Sequence, residues 1–503
     1  MERSPHTPTF VTKGIEFIRD SRTALLPETF SYNDIVLLPG KSVVTSPNQV
    51  DTTSKLTRGI RCYKPAISAN MNTVTEAKMA IFMAEEGAIG ALHRALSIED
   101  QVAMVTYVKG HAGYVIEQPP VISPEDTVAT ARRKMEEHER GIVMVRTDGH
   151  IVGLITKRDV LELIPADTPV SGEGIMTPRS DFITAPPDIS QEKALNLMYE
   201  NRIEKLVLTD SEGNFGGVIT MRDIRELRKH PNATKDRKGR LQVLASIGVG
   251  EDVVERAKAL TEAEVDGIII DILHGDCPQA YKVIEQIARI PNLPPIIVGN
   301  VATPESTRDL LVAGADVVKV GYSDGSLCTT RLVTGTGRGQ FRAVIECAAM
   351  ASFYGKKVIA DGSIQQGGDW AKAAAAGGEF IMVGGKLIPT DMSPGVPYYD
   401  EKQGRHVKEA YGMASERASQ ELAKAGNKTI KRRTPQGVQT LVPYLGPGST
   451  EKVLFDLHNG LQSGIANVGG HDIESFQEIV RFERQTPAAQ HEGRPYILYN
   501  NQQ

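Results

Sequence analysis

Short runs rich in isoleucine and valine alternate with helical stretches between residues 231 and 390, and this alternation limits the fold more than any other feature. Strands separated by helices form repeated βα units and pair in parallel. Most runs lead directly into a glycine or a polar residue, which predicts a closed barrel with a site on one rim. An open doubly wound sheet is the alternative, although no Gly-x-Gly-x-x-Gly sequence opens a helix after the first strand. The runs are Leu241–Ile247, Gly267–Asp271, Pro295–Gly299, Ala315–Val320, Lys357–Asp361 and Glu379–Gly384.

The length of 503 residues predicts more than one domain, since a β/α barrel takes about 250. The 57 basic and 62 acidic residues give a formal charge of −5, and neither sign forms a long block. We therefore expect no nucleic-acid partner and interpret the basic cluster at 427–433 as a solvated loop. The polar start and the lack of a long apolar run predict a cytoplasmic protein without a membrane partner. The four scattered cysteines predict reduced thiols and no metal site.

An internal repeat interrupts the first part of the chain. Gly153–Asp159 recurs as Gly217–Asp223, and a β-rich run and a helix precede each copy. We expect residues 116–228 to form a separate two-repeat module. The module is inserted in one loop of a barrel that is built from residues 1–115 and 229–503.

The loop Gly321–Arg331 follows the apolar run Ala315–Val320 and contains Cys328, the candidate nucleophile. A lone cysteine is usually an inert core residue. Here the glycines would let backbone N–H groups approach an anion, and neighbouring hydroxyls, among them Ser326 and Thr330, lie beside the sulfur. This context favours catalysis.

Several motifs in one order resemble the family of IMP dehydrogenases and GMP reductases from about Phe30 to Phe482. The resemblance implies a (β/α)8 TIM barrel, and the inserted repeats resemble a pair of CBS domains. The motifs are Tyr32–Pro39, Ser68–Val74, Gly299–Val301, Gly325–Arg331, Ile359–Gly362 and Tyr411–Met413.

The resemblance implies that Cys328 attacks carbon 2 of a purine 5′-monophosphate, with Thr330 beside it as a proton conduit. Asp361 would accept both ribose hydroxyls, since an ionised carboxylate only accepts hydrogen bonds. Capping of the following helix is the alternative for Asp361, Asp271 and Asn300. The resemblance also implies that the phosphate is bound by Ser326, Gly362, Ser363, Gly384, Gly385 and Tyr411, and the base by Met413 and Ala414. It further implies that Asp271 and Asn300 contact the nicotinamide nucleotide, and that Gly321, Ser323 and Cys328 bind K⁺.

Two reactions share such a pocket, and the sequence favours the reductase. A dehydrogenase oxidises IMP to XMP with NAD and carries a flap Arg-Tyr pair that activates water; the segment 423–436 has no such pair. A reductase converts GMP to IMP and ammonia with NADPH, using a glutamate after the base-binding loop, where Glu416 stands. A solvent-facing helix residue is the alternative for Glu416. A third hypothesis is a purine sensor that has lost catalysis.

In the repeats, the resemblance implies a site for a purine nucleotide such as ATP or GTP. Its residues would be Thr156, Asp159, Thr220 and Asp223, although each Thr-x-Arg-Asp segment would equally cap a helix in a purely structural module. Relatives form homotetramers that pair into octamers through these modules, and we expect the same assembly here.

Overall fold

The structure, a computed structural model, describes residues 28–111, 115–116, 119–138, 141–221, 229–425 and 434–494, so the basic cluster at 427–433 lies outside the described residues. Two compact units divide the chain. The first contains the chain up to His111, Asn232–Arg237 and everything from Leu241 onward. The second contains Ala112–Pro231 and Lys238–Arg240. Among the described residues, no helix is both long and apolar enough to cross a membrane.

Eight parallel strands close a barrel in the first unit. In every strand from the third to the eighth the apolar side chains are buried, as expected for strands that are covered on both faces. The barrel closes where Val243 pairs with Gly90 and where Val383 pairs with Ser68. The strands are β1 Ala66–Ser68, β2 Ile89–Leu92, β3 Val243–Ile247, β4 Gly267–Asp271, β5 Ile296–Val301, β6 Val317–Val320, β7 Lys357–Asp361 and β8 Phe380–Val383.

A helix follows each barrel strand and packs on its outside. The helix that precedes β6 is typical: the Thr303 hydroxyl accepts from the Ser306 N–H at its start, and Gly314 ends it with a left-handed φ of 118°. The barrel helices are α1 Ala77–Glu85, α2 Ile98–His111, α3 Val253–Glu262, α4 Pro278–Ile287, α5 Pro304–Ala313, α6 Gln340–Phe353, α7 Gly367–Ala375 and α8 Ser449–Val468.

Smaller elements extend the barrel. The strand Arg405–Tyr411 is the middle strand of an antiparallel sheet with Tyr398–Asp400 and Gln439–Pro443, and it leads into the loop before helix Glu416–Lys424. Two strand pairs join Ile35–Leu37 with Phe482–Arg484 and Ser54–Thr57 with Ile60–Cys62. The remaining helices are Thr330–Thr334, Ile473–Ile479 and Pro487–Glu492, and the 3₁₀ turns are Tyr32–Asp34 and Pro47–Gln49.

The second unit contains two four-stranded sheets, one for each sequence repeat. One apolar cluster contains residues of both sheets, with Met144 and Leu154 from the first repeat and Val207 and Val218 from the second. The strands of the first sheet are, in sheet order, Thr177–Pro178, His150–Thr156, Ile142–Thr147 and Val121–Ile122. Those of the second sheet are Thr184–Ala185, Lys205–Thr209, Phe215–Thr220 and Val115–Ile116. The helices are Val128–Glu137 and Gln191–Glu200, and a 3₁₀ turn lies at Arg179–Asp181.

The prediction of an α/β barrel with a parallel sheet is confirmed, and the alternative of an open sheet is wrong. Each of the six predicted runs contains all or most of a barrel strand.

Candidate functional site

A cavity of about 230 Å³ lies where the carboxyl ends of the barrel strands meet. Loops at this rim usually carry the site of a β/α barrel. Most of the residues that the sequence proposed line this one cavity: Asp271, Asn300, Gly321, Ser323, Ser326, Cys328, Asp361, Gly362, Ser363, Gly384, Gly385, Met413 and Ala414.

A chain of hydrogen bonds links Cys328 through Thr330 to Gln436. The Cys328 thiol donates to Thr330 Oγ1 at 3.2 Å, and that hydroxyl donates to Gln436 Oε1 at 3.1 Å. Backbone pairing holds Gln436 in place, because its carbonyl accepts from Thr329 N at 3.0 Å and Gly437 bridges to Cys328. Thr330 is completely buried, and Cys328 is partly exposed. Sequence reasoning missed Gln436, which also lines the cavity.

Lys319 on β6 joins three acceptors at the cavity wall. Its Nζ lies 2.7 Å from Asp361 Oδ2 and 3.5 Å from Asp271 Oδ1, and it donates to Asn300 Oδ1. Asn300 Nδ2 in turn donates to Asp361 Oδ2 at 2.9 Å. Burial alone would lower the pKa of Lys319, but the charges of Asp361 and Asp271 outweigh it and raise the pKa above its usual value. The lysine is therefore a charged ammonium at neutral pH.

The capping alternative for Asp271, Asn300 and Asp361 is wrong. The helices that follow their strands begin at other N-cap residues, namely Cys277, Thr303 and Gln366. The three acceptors face one another through Lys319 instead.

An ion pair closes the loop that carries Cys328. Arg331 Nη2 donates to Asp324 Oδ1 and to the Arg338 carbonyl, each at 2.8 Å. Burial raises the pKa of Asp324 to about 6, although Arg331 opposes the shift. The Ser363 N–H and hydroxyl both donate to the Asp324 carbonyl at 3.2 Å, which ties the loop to the end of β7.

The same loop is where the resemblance implied K⁺. The Gly321 carbonyl accepts from Asn300 Nδ2 at 2.8 Å, and the Ser323 hydroxyl donates to the Thr336 carbonyl at 2.9 Å. The guanidinium of Arg331 already places a positive charge against this loop. The residues present do not fit a second cation there.

Three proposed residues of the barrel unit lie outside the cavity lining, namely Thr330, Tyr411 and Glu416. The Tyr411 hydroxyl donates to Glu421 Oε2 at 2.7 Å, so it is turned toward helix Glu416–Lys424 and not toward Gly384 and Gly385. Glu416 is the first residue of that helix, and its side chain is exposed. The proposed roles of Tyr411 as a phosphate ligand and of Glu416 as the proton relay therefore stay predictions that no contact in the cavity supports.

In the second unit, Asp159 is already bonded within its own turn. Its Oδ2 accepts from the Thr156 N–H at 2.6 Å and from the Thr156 hydroxyl at 2.8 Å. Thr220 is buried at the end of its strand. Asp223 lies outside the described residues.

The chain belongs to the IMP dehydrogenase / GMP reductase domain family, which matches residues 29–496. It is therefore an oxidoreductase of a family that acts on purine nucleotides with a nicotinamide cofactor.

Relatives with both activities resemble the chain over nearly its whole length. It is 39% identical to an inosine-5′-monophosphate dehydrogenase of Staphylococcus saprophyticus, covering 93% of this chain and 96% of that protein. It is 40% identical to that of Methanocaldococcus jannaschii, covering 94% and 96%. The structure of a cysteine-to-alanine variant of Trypanosoma brucei GMP reductase with guanosine 5′-monophosphate is similar, with a TM-score of 0.86, 34% identity and coverage of 94% and 99%. The T. brucei enzyme with guanosine 5′-triphosphate gives a TM-score of 0.75 at 32% identity, covering 92% and 99%.

Proposed function

We propose that the chain is a GMP reductase that converts GMP to IMP and ammonia with NADPH. The observation that carries the proposal is the chain Cys328–Thr330–Gln436, which can move a proton but contains no base. A reductase needs no activated water, because hydride transfer resolves the adduct. Resemblance to T. brucei GMP reductase over 94% of the chain supports the same activity.

The first step requires only the nucleotide and residues of this chain. Cys328 Sγ attacks carbon 2 of GMP, and the bond between carbon 2 and the exocyclic nitrogen breaks. The thiol proton passes through the Thr330 hydroxyl to the departing amine, which leaves as ammonia. Gln436 accepts from Thr330 and holds this hydroxyl beside the sulfur until the proton is passed on.

In the second step the bond between carbon 2 and sulfur breaks, and the Cys328 thiolate takes a proton from solvent as IMP forms. A bound NADPH would supply the hydride that carbon 2 receives. The residues present fit such a cofactor, because Asp271 and Asn300 offer acceptor oxygens in the same cavity as Cys328. Asp361 holds the ribose of the purine nucleotide, and Ser326 with the glycines of the rim holds its phosphate.

IMP dehydrogenase is the second candidate, and the names of the curated relatives at 37–40% identity favour it. That reaction ends with hydrolysis, which needs a group that takes a proton from water. The amide of Gln436 is not such a base at neutral pH.

We propose that residues 116–228 are a CBS pair that binds a purine nucleotide and regulates a homotetramer that pairs into octamers. The matching sheets of the second unit support the pairing, and the T. brucei complex with guanosine 5′-triphosphate supports the ligand class. Equilibrium dialysis with ATP and GTP tests the binding, and Thr220→Val should weaken it.

The test of the reaction is absorbance at the reduced-nicotinamide band in two parallel mixtures, GMP with NADPH and IMP with NAD. Loss of signal in the first, together with ammonia and IMP, is the expected result. Gain of signal in the second, with XMP formed, would establish the dehydrogenase. Absence of both signals, with purine nucleotides still bound, would favour the sensor hypothesis. Lys424→Gln is the control and should turn over normally, because the Lys424 side chain at the end of helix Glu416–Lys424 is exposed outside the cavity lining.

A further inference from the structure

The carboxylate of Glu421 joins two loops that both reach the nucleotide cavity. Its Oε2 accepts from the Tyr411 hydroxyl at 2.7 Å and also from Asn72 Nδ2. Its Oε1 accepts from Arg417 Nε at 3.1 Å. Asn72 and Glu421 are separated by 349 positions in the chain, so this contact exists only in the folded barrel.

Each loop presents its neighbouring residues to the cavity. Asn72 follows Asn70 and Met71, which line it, at the end of β1. Tyr411 precedes Gly412, Met413 and Ala414, which line it from the other side. Asn72 is buried, and Tyr411 is only 6% exposed, so neither donor has ready access to water as a substitute partner for the carboxylate.

The donor and acceptor roles in this cluster are fixed by chemistry. Burial, with the charge and hydrogen bond of Glu421, raises the pKa of Tyr411 well above its usual value, so the phenol keeps its proton and donates. The Asn72 amide must present its NH₂ group, because its oxygen would repel the carboxylate. Only a side chain with an acceptor oxygen at position 421 satisfies both donors.

We propose that Glu421 is a positioning residue that holds the loop Gly412–Ala414 against the loop Asn70–Met71 and thereby sets the affinity of the cavity for its purine nucleotide. The proposal rests on the proposed function for the identity of the ligand, but not on the direction of the reaction. Glu421 touches no reacting atom; it acts through Asn72 and Tyr411.

An added negative charge at this contact tests the proposal. Asn72→Asp places two carboxylates against each other and should weaken binding of both GMP and IMP by about tenfold or more. Glu421→Gln keeps an acceptor oxygen for both donors and should bind within about threefold of the parent chain. The double variant Asn72→Asp with Glu421→Gln restores a hydrogen bond with donor and acceptor exchanged, and should recover most of the lost affinity.

Isothermal titration with GMP and with IMP, separately, gives the readout without any turnover. The thermal midpoint of each variant is measured alongside, because a merely structural contact would lower the midpoint and leave the affinity of the folded protein unchanged. Tyr411→Phe removes one donor and gives a second, milder test, with an expected loss of about threefold to tenfold. Lys424→Gln, an exposed position of the same helix, is the matched control and should bind normally.

Two results would overturn the proposal: normal nucleotide affinity in Asn72→Asp, or a double variant that binds no better than Asn72→Asp. If the chain proves to be a dehydrogenase or a sensor, the proposed function fails while the affinity pattern for GMP and IMP remains. The two failures are therefore distinguishable.

Discussion

Replacement of Lys319 by methionine should destabilise the barrel by about 3 kcal/mol, since removal of one partner of a buried ion pair costs about 3–5 kcal/mol. The side chain of Lys319 is 4% exposed, and those of Asp361 and Asp271 are 22% and 17% exposed. Methionine fills similar space but leaves two carboxylates without their shared cation. We expect the lower end of the range because Arg94 Nε remains 3.8 Å from Asp271 Oδ2.

The sign of the pH dependence follows from the raised pKa of Lys319. A lysine whose folded-state pKa exceeds its unfolded value of 10.5 contributes its full stability below that value, and the contribution is lost as the pH rises through the folded-state pKa. At pH 7 the free energy of unfolding of Lys319→Met should therefore differ from that of the parent chain by the full contribution of the lysine.

Urea unfolding followed by tryptophan fluorescence measures this difference in the barrel alone. Trp370 is the sole tryptophan of the chain, and it is fully buried in α7. Lys452→Met is the matched control, because Lys452 pairs with Asp456 on the surface, with side chains 76% and 57% exposed; such pairs contribute little. If Lys319→Met unfolds at the same urea concentration as Lys452→Met, the charge argument is refuted.

Three further predictions concern the cavity. Cys328→Ala should abolish turnover while GMP still binds, and detectable steady-state product would contradict its role as nucleophile. In Gly385→Ala the new Cβ would lie 2.3 Å from Ser326 Oγ, so the hydroxyl must move and the KM for the nucleotide should rise about tenfold; Gly368→Ala, whose Cβ meets nothing within 4 Å, is the control. Because folding raises the pKa of Asp324 from 3.8 to about 6, the protonated Asp324 stabilises the folded state below pH 3.8, and this stabilisation is lost as the pH rises through about 6. Asp324→Asn should remove this loss of stability. The prediction is contradicted if the urea midpoint changes equally in both proteins between about pH 4.5 and 7.5.

Six barrel strands were predictable because both of their faces are covered, which requires continuous apolar sequence. The first two strands were not resolved individually, and packing explains why. β1 has only three residues, Ala66–Ser68. In β2, a Cβ on Gly90 would lie 2.5 Å from the Cα of Ala80 in α1, so close contact with the helix requires a glycine where a β-branched residue would signal a strand.

The candidate site was predictable where its residues end a strand. Asp361 and Asn300 follow β-branched runs, and the carboxyl ends of parallel strands meet at one rim. The ends of the strands do not locate Glu416 and Tyr411, which stand in a linear motif after the barrel strands and do not line the cavity. Their directions depend on where helix Glu416–Lys424 starts and on which face it packs, and spacing along the chain does not determine that.

Gln436 is the residue that we expect to decide between reduction and hydrolysis of the cysteine adduct. Its position depends on contacts that no local sequence pattern reveals. It meets Thr330 across 106 positions of the chain, through backbone pairing of its segment with the loop of Cys328. A carboxylate in its place would supply a base for water, whereas the amide only orients the hydroxyl of Thr330. Gln436→Glu should therefore give the protein a hydrolytic route from the cysteine adduct, with XMP appearing as a side product when GMP is supplied. No XMP from that variant would mean that access of water, and not the lack of a base, keeps the adduct from hydrolysis.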